Sequence, residues 1–142
     1  MASTTSATAP TARRRVLHPG SVGMLVGGLM TVVGSLLPWV VVLGVTLYGT
    51  GGGGLWTLCA GFVAIAGALV PRRWSAVAHC AVAGGATAFI AGWQLVRIVD
   101  LSASSGAWGQ VLPSMGLVMV AGGAVVLLRT GVRVWRTPAV AP

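Results

Sequence analysis

Four apolar stretches, at residues 21–43, 52–70, 74–98 and 109–129, leave this chain little choice of fold. Each approaches the roughly 20 residues that a helix needs to cross a hydrocarbon core about 30 Å thick. In that medium every backbone N–H and C=O must find its partner within the protein, so open strands are excluded and helices are expected. Only 7% of the 142 residues are charged, far below the roughly 25% of a water-soluble domain, and so few charges cannot cover a soluble surface. The expected fold is therefore all-α, an integral membrane four-helix bundle filling residues 20–130. A disordered basic cytoplasmic tail at 1–19 precedes it, and a short basic cytoplasmic tail at 131–142 follows.

The nine cationic side chains are all arginines, and their placement sets the threading. Arg13, Arg14 and Arg15 precede the first span, Arg72 and Arg73 separate the second from the third, and Arg129, Arg133 and Arg136 follow the fourth. With four crossings these eight share one side, whereas the other receives only Arg97, three residues from the sole acid, Asp100. Positive charge stays cytoplasmic, which puts both termini inside a multi-pass protein of the cytoplasmic (inner) cell membrane. The tryptophans agree, with Trp39, Trp56, Trp93 and Trp108 near the outer interface and Trp74 and Trp135 near the inner. The same eight arginines are expected to contact anionic lipids. Spread over separate segments, the net charge of +8 forms no single patch, so no nucleic acid is expected as a partner. The expected partners are the lipid bilayer and either another membrane protein or a second copy of the chain.

Residues Gly49-Thr50-Gly51-Gly52-Gly53-Gly54 satisfy the G-x-G-x-x-G spacing of a dinucleotide-binding turn. That chemistry needs a preceding strand and an acid about twenty residues further on, and the only acidic side chain is Asp100. A phosphate loop of the G-K-[ST] kind is excluded too, because the chain has no lysine. The run is read as the outer connection between the first two spans. From Trp56 to Arg72 the second span covers only about 24 Å, so either its helix starts inside the glycine run or the membrane thins there.

The stretch GSLLPWVVVLGVTLYGTGGGGLWTL, in which a span ends at Leu37-Pro38-Trp39 and a glycine loop feeds the next, resembles small four-helix membrane proteins of actinobacteria. The resemblance covers about residues 20–73. It implies the four-helix architecture and no activity, since that group is largely of unknown function.

The third span carries the only polar stripe. Ser75, His79, Thr87, Gln94 and Arg97 step by helical intervals along one side, so this face is expected to point into the bundle and the third helix to be its most enclosed member. Either the stripe lines a polar path gated by His79, or His79 is neutral and bonded to a carbonyl or to Ser75 one turn earlier. Arg97 and Asp100 are expected to pair at the outer interface. Gly23 and Gly27, then Ala60, Ala64 and Ala68, then Ala88 and Gly92 recur every four residues, which permits close helix packing within the chain or between copies. Cys59 and Cys80 lie at different depths and are read as buried packing residues.

Chemistry-bearing groups are scarce. Without glutamate the chain cannot couple export to a buried glutamate, and His18 and His79 cannot supply the axial pairs of a haem bundle. No catalytic, cofactor-binding or metal site is expected, and no cofactor. The expected function is that of a non-enzymatic scaffold or accessory component associating with another membrane protein. The other reading is a small channel or permease with its polar path along the third helix.

Overall fold

A computed structural model describes residues 20–106 and 108–137, so the basic tail with Arg13, Arg14 and Arg15 and the last five residues lie outside it. Among the described residues four helices, α1 (Ser21–Leu36), α2 (Gly54–Ala68), α3 (Arg73–Ser105) and α4 (Met115–Arg136), are joined by three short strands, β1 (Pro38–Val42), β2 (Val45–Tyr48) and β3 (Val111–Pro113). The helices form an antiparallel ring in which α1 and α3 each pack between α2 and α4. One end of the ring carries Arg72, Arg73, Arg133 and Arg136, and the other carries the sheet.

Glycine sets how closely the helices approach. A Cβ at Gly27 of α1 would lie 3.1 Å from the Gly123 carbonyl oxygen of α4, and one at Gly123 would lie 2.8 Å from that of Gly27. The same reciprocity joins Gly28 to Gly61 of α2, at 3.0 Å each way, and Gly34 to Gly116 of α4. The glycines of α1 are thus consumed within the chain. Gly92 of α3 has open space around it instead. Between the helices lie small side chains and hydroxyls, among them Ala64, Ala83, Thr31, Ser35 and Thr57, while Val22, Leu29, Phe62, Val82, Phe89 and Val125 point outward.

The first span does not remain helical to residue 43, because α1 stops at Leu36. Pro38 forces the residue before it out of the helical region, and Leu37 takes φ −81° and ψ 165°. The β-branched run Val40–Val42 then continues as β1. Leu43 and Gly44, both at positive φ (49° and 82°), form the two-residue turn that matches the twist of an antiparallel hairpin. β1 is the central strand, pairing Val40 with Leu47 of β2 and with Pro113 of β3. The exclusion of strands therefore fails for residues 38–48 and 111–113. It applies to backbone facing hydrocarbon, and this sheet lies beyond the end of α1, where the central strand is bonded on both edges.

The other boundaries shift for related reasons. α2 begins at Gly54, the last glycine of the run. α3 continues for 33 residues, about 50 Å, seven residues past the expected end, and stops at Gly106 in the left-handed conformation. Within the expected span, α3 supports the sheet through a cluster of Ala91 and Ile98 with Trp39, Val111, Leu117 and Val120. α4 starts six residues late, after β3, and carries Arg129, Arg133 and Arg136 within the helix, so the expected tail at 131–142 is helical as far as Arg136. Arg97 and Asp100 stand exposed on α3, and no salt bridge joins them among the described residues. Nor is α3 the most enclosed helix: eight of its 33 residues are buried, against seven of 16 in α1.

At the arginine end, Arg73 closes α4. Its Nε donates to the Val134 carbonyl (3.1 Å) and its Nη2 to that of Trp135 (2.6 Å), satisfying acceptors that a helix C-terminus leaves free. Trp74 meets Trp135 edge-on beside this clamp, with centroids 5.1 Å apart.

Candidate functional site

Two features that the sequence presents separately, the glycine run and Gln94, meet at the sheet end. Because α2 begins only at Gly54, residues 49–53 form a tight turn between β2 and α2, in which the Gly52 N–H donates to the Gly49 carbonyl. The turn lies on Trp39. A side chain at Gly49 would collide with the indole, whose Nε1 donates to the Gly34 carbonyl at 3.0 Å. Trp39 is therefore a core residue, 3% exposed, rather than an interfacial one. Above it opens a cleft of about 490 Å³ lined by Thr46, Tyr48, Thr50, the glycine backbone and Gln94. Val40 and Leu47 complete the lining, so the cleft is mainly apolar with a few uncharged donors and acceptors.

Below the cleft the interior is polar but closed. Ser35 Oγ and Thr57 Oγ1 lie 2.7 Å apart between α1 and α2, with the Thr31 carbonyl 2.6 Å from the first and the Gly54 carbonyl 3.0 Å from the second. Thr31 donates to the Gly27 carbonyl, and Ser21 crosses from α1 to the Ala68 carbonyl of α2. Of these, the Ser35–Thr57 and Ser21–Ala68 bonds join α1 to α2, while the others stay within one helix. Thr87 is the exception: its hydroxyl is fully buried and has no hydrogen-bond partner. An unpaired buried hydroxyl costs about 1–3 kcal/mol. Thr87→Val is therefore expected to leave stability unchanged or raise it by about 1 kcal/mol, read from unfolding in detergent. A loss larger than about 1 kcal/mol would reveal a partner for the hydroxyl.

The five stripe residues do not line one path. Gln94 borders the cleft, Thr87 is sealed, and beneath it Ala60, Ala64, Ala83 and Leu127 pack into one cluster. His79 is half-buried; its Nδ1 donates to the Ser75 carbonyl at 2.7 Å, with Ser75 Oγ at 3.3 Å. α2 rests on this histidine, since a Cβ at Gly67 would come within 2.5 Å of the His79 Cβ. Arg97 is exposed. The cysteines also divide: Cys80 is buried, against Gly131 of α4, but Cys59 is exposed on the outside of α2, and both are free thiols. Among the described residues no three His, Cys, Asp or Glu side chains are grouped so as to hold a metal ion.

The cleft walls formed by Trp39, Thr46 and Tyr48 were not legible as a site, because they depend on the hairpin. The available signal was local: Pro38, then a β-branched run, then Leu43-Gly44 before Val45-Thr46. By length and composition α3 and α4 can cross a membrane, whereas α1 and α2 are shorter apolar helices. No family model matches the chain, and no curated protein or solved structure is significantly similar to it.

Proposed function

We propose that the chain is a multi-pass protein of the cytoplasmic membrane, crossing it four times with both ends inside, and that it serves as a non-enzymatic scaffold or accessory component for another membrane protein. The observation that carries this reading is the distribution of side chains around the ring. Glycine, alanine and hydroxyl residues lie between the helices, while Val, Leu, Phe and Trp cover the outside, as suits a bundle solvated by lipid rather than water. α1 and α2, at 16 and 15 residues, are about 24 and 22 Å long, so on this reading the membrane thins beside them and the sheet stands outside the hydrocarbon. Because the middle of the bundle is filled by Ala60, Ala64, Ala83 and Leu127, the outer surface and the neutral cleft are what remain for recognition. The arginines gathered at one end set the orientation, with the sheet outside.

A second reading, a small channel or permease, draws on the uncharged cleft bordered by Gln94 and on the unpaired Thr87 hydroxyl beneath it. Two measurements separate the possibilities. In intact cells a membrane-impermeant maleimide is expected to modify Thr50→Cys and to spare Arg72→Cys; labelling of the latter from outside overturns the orientation. Purified protein in liposomes is expected to carry no ion or solute flux. Flux that Gln94→Leu or His79→Ala abolishes would replace the scaffold reading with the channel.

A further inference from the structure

At the arginine end a groove of about 370 Å³ lies between α3 and α4. Small residues create it. Gly131 lets the helices touch at Cys80, where a Cβ would lie 2.9 Å from that of the cysteine, and Ala81 leaves the space beside this contact unfilled. Val77, Leu128, Val132 and Trp135 form the apolar walls, and Arg136 stands at the rim. Arg129, seven residues earlier on α4, lies outside this lining and borders a larger hollow together with Arg133 and Arg136.

These arginines differ from Arg73, whose donors are committed to the carbonyls of Val134 and Trp135. Arg129, Arg133 and Arg136 repel one another at helical spacings of three and four residues. Among the described residues no acidic side chain compensates them, since Asp100 lies on α3 at the sheet end. An apolar slot ending in uncompensated guanidinium groups is complementary to one molecule with an anionic head and apolar chains.

We propose that this groove binds an anionic phospholipid, with an acyl chain against Val77, Ala81, Leu128 and Val132 and the phosphate at Arg136 on the rim. The inference rests on the four-crossing reading and sharpens it, because it replaces general attraction between a basic surface and the bilayer with a site of defined walls. Trp135, braced by Trp74, lines the groove and reports on its occupancy.

The test uses full-length protein in phosphatidylcholine vesicles containing increasing phosphatidylglycerol, with one or the other lipid brominated to quench tryptophan. The Trp135 signal is taken as the difference from Trp135→Phe. Brominated phosphatidylglycerol is expected to reach half-quenching at about a fivefold lower mole fraction than brominated phosphatidylcholine. Arg136→Gln, which removes the head contact, and Ala81→Leu, which fills the slot at an exposed position without changing charge, are each expected to erase that preference. Arg72→Gln, an identical loss of charge away from the groove, is expected to keep it. Equal loss in Arg72→Gln and Arg136→Gln, or an unchanged preference in Ala81→Leu, overturns the site in favour of diffuse attraction. Vesicle flotation separates the two levels: protein that does not float overturns the membrane reading itself, whereas protein that floats without preferring the anionic lipid overturns the site alone.

Discussion

Trp39→Ala is expected to lower the unfolding free energy by about 3–5 kcal/mol, the cost of truncating a large aromatic side chain in a packed core. The indole is 3% exposed and sits where four elements converge, against Ala91 and Ile98 of α3, Val111 of β3, and Leu117 and Val120 of α4. Its N–H also occupies the Gly34 carbonyl, one of the acceptors that the end of α1 leaves without a helical partner. Trp39→Phe keeps much of the contact and gives up the hydrogen bond, so its cost is expected to be nearer 1–2 kcal/mol, with about 1 kcal/mol from the bond itself. Near-ultraviolet circular dichroism during denaturant unfolding in mild detergent measures both. Equal costs for the two substitutions would mean that the hydrogen bond, and not the packing, holds the sheet onto the bundle.

The prediction depends on a layer that hydropathy alone does not reveal. Residues 21–43 read as one span because mean hydropathy sums side-chain polarity and is blind to backbone geometry; Trp39 and Val40 contribute alike in a helix or a strand. What divides the stretch is Pro38, and what turns the strand back is Leu43-Gly44 at positive φ. The C-terminal extension of α3 was hidden for the complementary reason. Ser102, Ser104 and Ser105 are poor helix formers by composition, yet Ser102 and Ser105 donate to carbonyls four residues back, and Ile98 and Ser102 are buried at the sheet end. The helix continues there because Ile98 and Ser102 face the sheet, a contact that no local signal in residues 99–105 carries.

The stripe on α3 illustrates a different limit. Steps of three and four residues put side chains on one side of a helix, but that side spans a wide arc. At 3.6 residues per turn, His79 and Arg97 stand about 80° to one side of Thr87. The buried face of α3 runs through Cys80, Thr87, Ala91 and Ile98, so Thr87 is sealed while His79 lies half-buried on the flank and Arg97 faces out. The cleft was legible only in its parts. Gln94 and the glycines are both evident in the sequence, but their meeting requires α2 to begin at Gly54 and the hairpin to fold over Trp39.

The small-residue spacing was legible as close packing, and the glycines of α1 meet their partners within the chain. Gly123→Ala is expected to destabilise by about 1–3 kcal/mol and Gly123→Val by more, because the added atoms meet the Gly27 carbonyl oxygen at 2.8 Å and the Thr31 nitrogen at 3.1 Å. Thr31 Oγ1 is nearer still, at 2.5 Å, and can rotate away, but the other two obstacles are backbone, so relief requires α1 and α4 to separate, which weakens their packing near the crossing. Gly27→Ala meets the reciprocal contact and is expected to cost a similar amount. Once either methyl has spread the helices, the other finds room, so the double variant is expected to cost less than the sum of the two. Gly92→Ala has nothing within 4 Å and is expected to stabilise by about 0.5–1 kcal/mol through helix propensity alone. Unfolding of the five variants in mixed micelles distinguishes the alternatives. Additive costs at Gly27 and Gly123 would place their effects in separate environments, and a Gly92→Ala loss comparable to that of Gly123→Ala would mean that α3 uses its open glycine against another chain.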